Sequence, residues 1–337
     1  MKINVSTTVL VLAILLFSCV NVYSNNQQIE NPDTVVTYIV SQDGAGDFAS
    51  IQAAVNAIPD YRKVRTIIYI KNGIYKEKLT LPASKELVTF RGENVRKTVI
   101  TNGDWAQKQT NLGENTGTSG SSTCFVFGHD FCAENITFQN TAGPIGQAVA
   151  VLVGADRCVF NNCRFLGFQD TLYTYAENSR QYYKNCYIEG STDFIFGKAT
   201  AVFDDCEIHS LRESYITAAA THESTKFGYL FYKCRLTAES DVHKVYLGRP
   251  WRDYAKVVFR ECEMGAHIRP EGWHNWKKPQ AEKTTFYAEY RNAGPGADVS
   301  KRVKWSYLLN KKQAAEWTVE NVLKGNDNWN PQNSVLK

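Results

Sequence analysis

With 337 residues, 43% of them hydrophobic and 12% aromatic, the chain can bury one large core or two smaller ones, and its composition is neither disordered nor fibrous. A net charge of +4 suits an acidic polymer as partner but falls far short of a nucleic-acid-binding surface.

In chain order, the first element is a leader. Lys2 precedes an apolar stretch from Val9 to Phe17 that is too short to span a bilayer, and small and polar residues follow, which is the layout of a secretory signal over residues 1–24. Two cleavage points fit: after Ser24, and before Cys19 in Leu16-Phe17-Ser18-Cys19, a stretch similar to a bacterial lipoprotein box with an unusual Phe. The mature chain is therefore expected outside the cytoplasm, extracellular or periplasmic, and the second reading adds a lipid anchor to an outer membrane through Cys19. No later run is apolar enough for a transmembrane helix. Next, Phe48, Ile51, Ala54, Val55 and Ile58 follow Asp47 at helical spacing and stop at Pro59, which predicts a short helix capping the front of the fold.

A repeat dominates the middle of the chain. Five cysteines share one pattern, an aromatic three residues before and an apolar residue two after: Phe160/Cys163/Phe165, Tyr183/Cys186/Ile188, Phe203/Cys206/Ile208, Phe231/Cys234/Leu236 and Phe259/Cys262/Met264. Ala133, Ile136 and Phe138 repeat it one turn earlier with Ile in place of Cys. Short alternating segments recurring every 20 to 28 residues, without helical periodicity between them, predict an all-β solenoid: a right-handed parallel β-helix whose cysteines stack as an internal ladder. Reduced thiols are the favoured reading, and bridging of neighbours stays open because coil spacing is within reach of a disulfide. No linker divides the chain, so one domain from 35 to 337 is expected. Ala315, Val319, Val322 and Leu323 predict a second capping helix ending near Gly325, packed on the last coils.

The register of that ladder carries the functional signal. Asp170 lies seven residues after Cys163, and Asp193 seven after Cys186. If the cysteines stack, so do the acids, and Asp170-Thr171-Leu172-Tyr173 matches Asp193-Phe194-Ile195-Phe196 in type. Two carboxylates at one-strand spacing repel each other, so one keeps a proton and the pair offers an acid beside a base. Strand-ending or turn-capping acids are the other reading of the same residues.

Five segments together resemble the pectinesterase (pectin methylesterase) family: Gly73-Ile74-Tyr75-Lys76-Glu77, Gln147-Ala148-Val149-Ala150-Val151, Gln169-Asp170-Thr171-Leu172-Tyr173, Asp193-Phe194-Ile195-Phe196-Gly197 and Leu247-Gly248-Arg249-Pro250-Trp251. The resemblance runs from about Gly44 to Tyr307. It implies a β-helical esterase acting on methyl-esterified homogalacturonan. In that scheme Asp193 is the nucleophile, Asp170 the general acid and base, Gln147 and Gln169 the oxyanion donors and Arg249 the group that orients Asp193. Tyr173, Phe196, Trp251 and Trp273 are candidate walls of the sugar groove because flat apolar rings match pyranose faces and a methyl ester; the resemblance favours Trp251 and Trp273, and stacking in the core is the other reading for Tyr173 and Phe196. The Gly73–Glu77 segment is given turn and packing roles only. The loops at 116–123 and 221–226 do not align with the family pattern.

No His or Cys cluster has metal-site spacing, so neither metal nor cofactor is expected, and a monomer is the expected state. Two rival readings share the fold. One is a β-helical polysaccharide lyase or a glycosidic hydrolase, which needs a Ca²⁺ site or carboxylates spaced for glycosidic chemistry; the other is a pectin-binding surface protein without catalysis. An α/β-hydrolase lacks support because no Gly-x-Ser-x-Gly elbow is present.

Overall fold

The computed structural model describes residues 34–332, so the leader and Cys19 lie outside the described residues. From Val35 onward the chain winds through three parallel sheets of eleven, seven and eight strands, and within each sheet the strands follow one another in chain order. Seven successive coils, from Thr66 to Gly248, give one strand to each sheet, and the end coils add further strands mainly to the eleven-stranded one, the architecture of a right-handed parallel β-helix. Among the described residues no helix is long and apolar enough to cross a membrane.

The cysteine repeat sits at a corner. In one coil the aromatic Phe160 belongs to the strand Cys158–Asn161 of the eleven-stranded sheet, and Phe165 to the strand Arg164–Leu166 of the eight-stranded sheet, with Cys163 between them. The residue before each repeat cysteine turns the corner in the left-handed region: Asn162, Asn185, Asp205, Lys233 and Glu261 have φ of 51–56°. Short polar side chains tolerate that conformation best, which accounts for Asn or Asp at three of the five corners. Inside, the aromatics stack coil on coil, with centroids 4.9 Å apart for Phe160–Tyr183, 4.8 Å for Tyr183–Phe203, 4.5 Å for Phe203–Phe231 and 4.4 Å for Phe231–Phe259.

The cysteines run alongside as free thiols. Each points its sulfur along the axis at a carbonyl of the preceding coil: Cys186 Sγ lies 3.4 Å from Phe160 O, Cys206 Sγ 3.4 Å from Tyr183 O and Cys234 Sγ 3.2 Å from Phe203 O. Burial pushes the Cys186 and Cys234 thiols far above their ordinary range, so they stay protonated and unreactive.

At the front, the helix Ile51–Ala57 buries Ile51, Ala54 and Val55 against the first coils, and the Ser50 hydroxyl caps Ala53 N. Glu77 has a specific part in this cap. Its carboxylate accepts from Ile51 N at 2.9 Å and Gln52 N at 2.8 Å, filling two of the donors that a helix start leaves unpaired.

At the back, the segment expected to form one helix on the last coils forms two short ones, Lys311–Ala314 and Val319–Leu323. The second lies along the flank of the solenoid, where Val319, Val322 and Leu323 cluster with Val159, Tyr182, Val202 and Leu230. The reason is that the eleven-stranded sheet is apolar on its outer face as well as its inner one, and the helix covers it. Ala297, Val303 and Trp305 pack on the core at the end of the chain's last coils, and the buried pair Arg302–Glu289 at 2.7 Å anchors that segment.

Candidate active site

The seven-stranded sheet carries the site on its outer face. Leu172 pairs in register with Ile195, and Tyr173 with Phe196. Leu172 and Ile195 point into the core, and the acids two residues earlier sit side by side at the corner before each strand. Asp170 N donates to Thr192 O at 3.1 Å and Asp193 N to Tyr215 O at 2.8 Å, so each acid hangs from the next coil's backbone. Both adopt left-handed backbone, with φ of 66° for Asp170 and 49° for Asp193. Such conformations persist only where surrounding structure over-determines them, and they turn both side chains out of the strand line into one cavity.

Arg249 follows Gly248, which pairs with Thr217. A Cβ at Gly248 would lie 2.0 Å from Thr217 Oγ1, so only glycine permits the close approach of these coils. Across the intervening coil, Arg249 Nε donates to Asp193 Oδ1 at 2.9 Å and Nη2 to Oδ2 at 2.7 Å, a bidentate fork. The guanidinium is sandwiched, with its carbon 3.9 Å from the Tyr215 ring centre and 3.7 Å from that of Trp276.

Asp170 and Asp193 are only 7% and 5% exposed. Burial pushes the carboxyl of Asp170 well above the ordinary range and repulsion from Asp193 adds to it, against a smaller opposing pull from Arg249. Burial also raises Asp193, but there the paired Arg249 fork opposes it directly. The first proton therefore goes to Asp170, which leaves Asp193 as the carboxylate. The stability linked to Asp170 is fully present below its unfolded-state pKa and is lost as pH rises through its raised folded value. Asp170→Asn, which keeps the left-handed backbone and removes the like charge, is accordingly expected to stabilise the protein at neutral and alkaline pH by about 1–2 kcal/mol, or roughly 2–4 °C in Tm. Thermal unfolding at several pH values checks this: the gain should shrink toward acid pH.

A cavity of about 450 Å³ gathers eight of the residues singled out from sequence: Gln147, Gln169, Asp170, Tyr173, Asp193, Phe196, Arg249 and Trp251. Gln147 and Gln169 are bridged in adjacent coils, and Gln147 Oε1 accepts from Gln107 Nε2 at 2.9 Å, which leaves the amide NH₂ of Gln147 as a donor. Tyr173 and Phe196 stack at 4.1 Å outside the coil, with Trp251 tilted toward them at 6.1 and 5.8 Å.

Trp273 is a correction. Expected as a groove wall, it is 1% exposed and belongs to the core, stacked at 4.3 Å on Tyr287. Its bridge to Gly248 makes it one more inward-facing rung of the seven-stranded sheet. The cavity is lined instead by Trp276, three residues on, whose backbone has φ of 54°. Sequence reading also missed Tyr215 and Gln107. The unaligned loop at 116–123 supplies Thr116–Gly120 to the cavity wall, and the loop at 221–226 supplies Thr221, His222 and Glu223 to a neighbouring cavity of about 500 Å³ that shares Trp251. Among the described residues no three His, Cys, Asp or Glu side chains are grouped to hold a metal ion.

The family profile described as Pectinesterase matches residues 37–326. Pectinesterase 31 of Arabidopsis thaliana is 44% identical over 286 residues, which is 82% of this chain and 89% of that protein. Several other plant pectinesterases, 37–40% identical, are longer, and the chain spans 48–55% of their length. Among solved structures, the pectin methylesterase from carrot is 35% identical with a TM-score of 0.79, covering 90% of this chain and 97% of that one. A pectin methylesterase in complex with a hexasaccharide is 30% identical with a TM-score of 0.74, covering 89% of this chain and 98% of that one.

Proposed function

The chain belongs to the pectinesterase family, whose members are carboxylic ester hydrolases, and from that premise we propose that it removes methyl esters from the galacturonosyl units of pectin with Asp193 as the nucleophile. The observation that carries this reading is the bidentate Arg249 fork on Asp193 beside a buried, proton-holding Asp170.

An Oδ of Asp193 attacks the ester carbonyl carbon at C6. Arg249 holds the carboxylate ionised and fixes its plane, and burial of Asp193 beside aromatic walls limits its hydration. The amides of Gln147 and Gln169 donate to the oxyanion as it forms, each such donor typically contributing about 3–4 kcal/mol. As the tetrahedral intermediate collapses, Asp170 gives its proton to the departing methoxy oxygen and methanol leaves, with Asp193 joined to the sugar's acyl group as an anhydride. Asp170, now a carboxylate, takes a proton from water while the hydroxyl adds to the acyl carbon. The second collapse expels Asp193 as a carboxylate, Asp170 having already regained its proton from the water, and the product carboxyl loses its proton to solvent.

The rings of Tyr173, Phe196 and Trp251 serve as apolar walls for pyranose faces and the methyl group. The protein is proposed to act as a monomer, exported by the 1–24 leader, and mass spectrometry of the mature amino terminus distinguishes cleavage after Ser24 from a lipidated Cys19. The decisive assay of function uses highly methylated pectin. Methanol release without chain shortening or new unsaturated ends supports the reading, whereas shortening or unsaturation without methanol would replace it with glycosidic or lyase chemistry.

A further inference from the structure

Tyr215 does not line the 450 Å³ cavity, yet both members of the Asp193–Arg249 pair lean on it. Its carbonyl accepts the Asp193 N–H at 2.8 Å, and its ring covers one face of the Arg249 guanidinium at 3.9 Å while Trp276 covers the other at 3.7 Å. The ring is itself backed. Tyr246, paired with Tyr215 in the next coil, stacks on it at 5.3 Å with planes 11° apart. His274 wedges against both tyrosines at 5.4 and 5.3 Å, and its Nδ1 accepts Trp276 N–H at 3.0 Å, fixing the left-handed turn that brings Trp276 over the arginine.

A guanidinium donates only in its own plane. With both faces covered by rings, water reaches only its edges, and the plane cannot tilt away from Asp193 without losing both cation–π contacts. A surface arginine without such a clamp would sample many rotamers and hold the carboxylate only part of the time.

We propose that Tyr215 is a positioning residue for the ester hydrolysis: its ring, opposed by Trp276, keeps the Arg249 fork edge-on to Asp193 while its carbonyl holds the backbone from which Asp193 reaches. This rests on Asp193 acting as the nucleophile. The Tyr215 hydroxyl takes no part in either contact, so the aromatic face is what matters.

The test compares Tyr215→Phe, Tyr215→Leu and Tyr215→Met in methanol release from methylated pectin across pH. Tyr215→Phe should keep kcat within about twofold. The Leu and Met variants should lose kcat roughly 10- to 100-fold with KM within about twofold. They should also move the acid limb of the kcat profile upward by roughly half to one pH unit, since a loosened fork opposes the raised carboxyl of Asp193 less. A purely structural ring would lower the yield of folded enzyme without moving that limb. The proposal is overturned by wild-type kcat and an unmoved limb in the Leu and Met variants, by a loss carried in KM, by an equal loss in Tyr215→Phe, or by failure of both Leu and Met variants to fold. Wild-type enzyme is the control: no methanol from it defeats the function proposed above, whereas methanol from it together with an unaffected Tyr215→Leu defeats only the positioning role.

Discussion

Asp193→Asn is expected to lower kcat for methanol release by at least about 10⁴-fold, because an amide oxygen cannot replace the carboxylate proposed to form the acyl bond, and losing a nucleophile commonly costs this much or more. KM should change little, since the proposed mechanism gives binding of the polymer to the aromatic walls and not to this carboxyl. Asn is the right replacement because position 193 has φ of 49°, which Asn adopts readily; Ala would add about 1 kcal/mol of backbone strain and confuse the result. The variant leaves Arg249 without its ionic partner, but it also removes the repulsion that raises Asp170. The two effects on stability oppose each other, so a folded protein with almost no turnover is the expected product. Far-UV circular dichroism beside the methanol assay separates loss of chemistry from loss of fold.

Arg249→Lys should be nearly as damaging, lowering kcat roughly 10²- to 10³-fold at acid pH even though the charge is kept. A lysine ammonium is a point charge on a flexible stem. It cannot form the parallel contacts of 2.9 and 2.7 Å to the two oxygens of Asp193, and it cannot be clamped as a plate between Tyr215 and Trp276. The pH dependence identifies the cause. Burial already raises Asp193 and the arginine opposes it, so weakening the fork raises the pKa further and pushes the acid limb of kcat upward. Part of the activity of Arg249→Lys should therefore return as pH rises, until loss of the Asp170 proton ends it on the alkaline side. A variant with wild-type kcat throughout the acid range would remove Arg249 from the orienting role.

The repeat made most of the coil visible in the sequence because a β-helix encodes its register locally. Cysteine and aspartate keep the same seven-residue offset in two successive coils, so the stack at 163 and 186 carries the pair at 170 and 193 with it. Arg249 offers no such signal. It lies two coils from Asp193, beyond the long loop that makes Thr217 and Gly248 partners 31 residues apart, and only the family resemblance pointed to it. Tyr215 was hidden for the same reason. Trp273 and Trp276 were indistinguishable by type, and what separates them is conformational: the bridge to Gly248 turns Trp273 inward, while left-handed residues at 276 and 277 carry Trp276 out over the arginine. The C-terminal helix was legible as an amphipathic segment, but its destination depended on the outer face of a distant sheet. Alternation within single short strands does not reveal that both faces are apolar.

The arrangement divides labour between two acids that differ little in exposure. In the proposed mechanism one, raised by burial and by repulsion from its neighbour, serves as the proton holder, and the other, whose rise is opposed by the clamped arginine, serves as the carboxylate. The proposed covalent link between Asp193 and the sugar's acyl group is the step on which this rests. It is tested most directly by intact-protein and peptide mass spectrometry of the Asp170→Asn variant, mixed with a short galacturonan bearing one activated ester whose alcohol leaves without needing a proton. Attack by Asp193 should then proceed while hydrolysis, lacking its base, stalls. The account predicts a burst of one alcohol per enzyme and a matching mass gain located at Asp193; steady turnover with no adduct, or an adduct on another side chain, would contradict it.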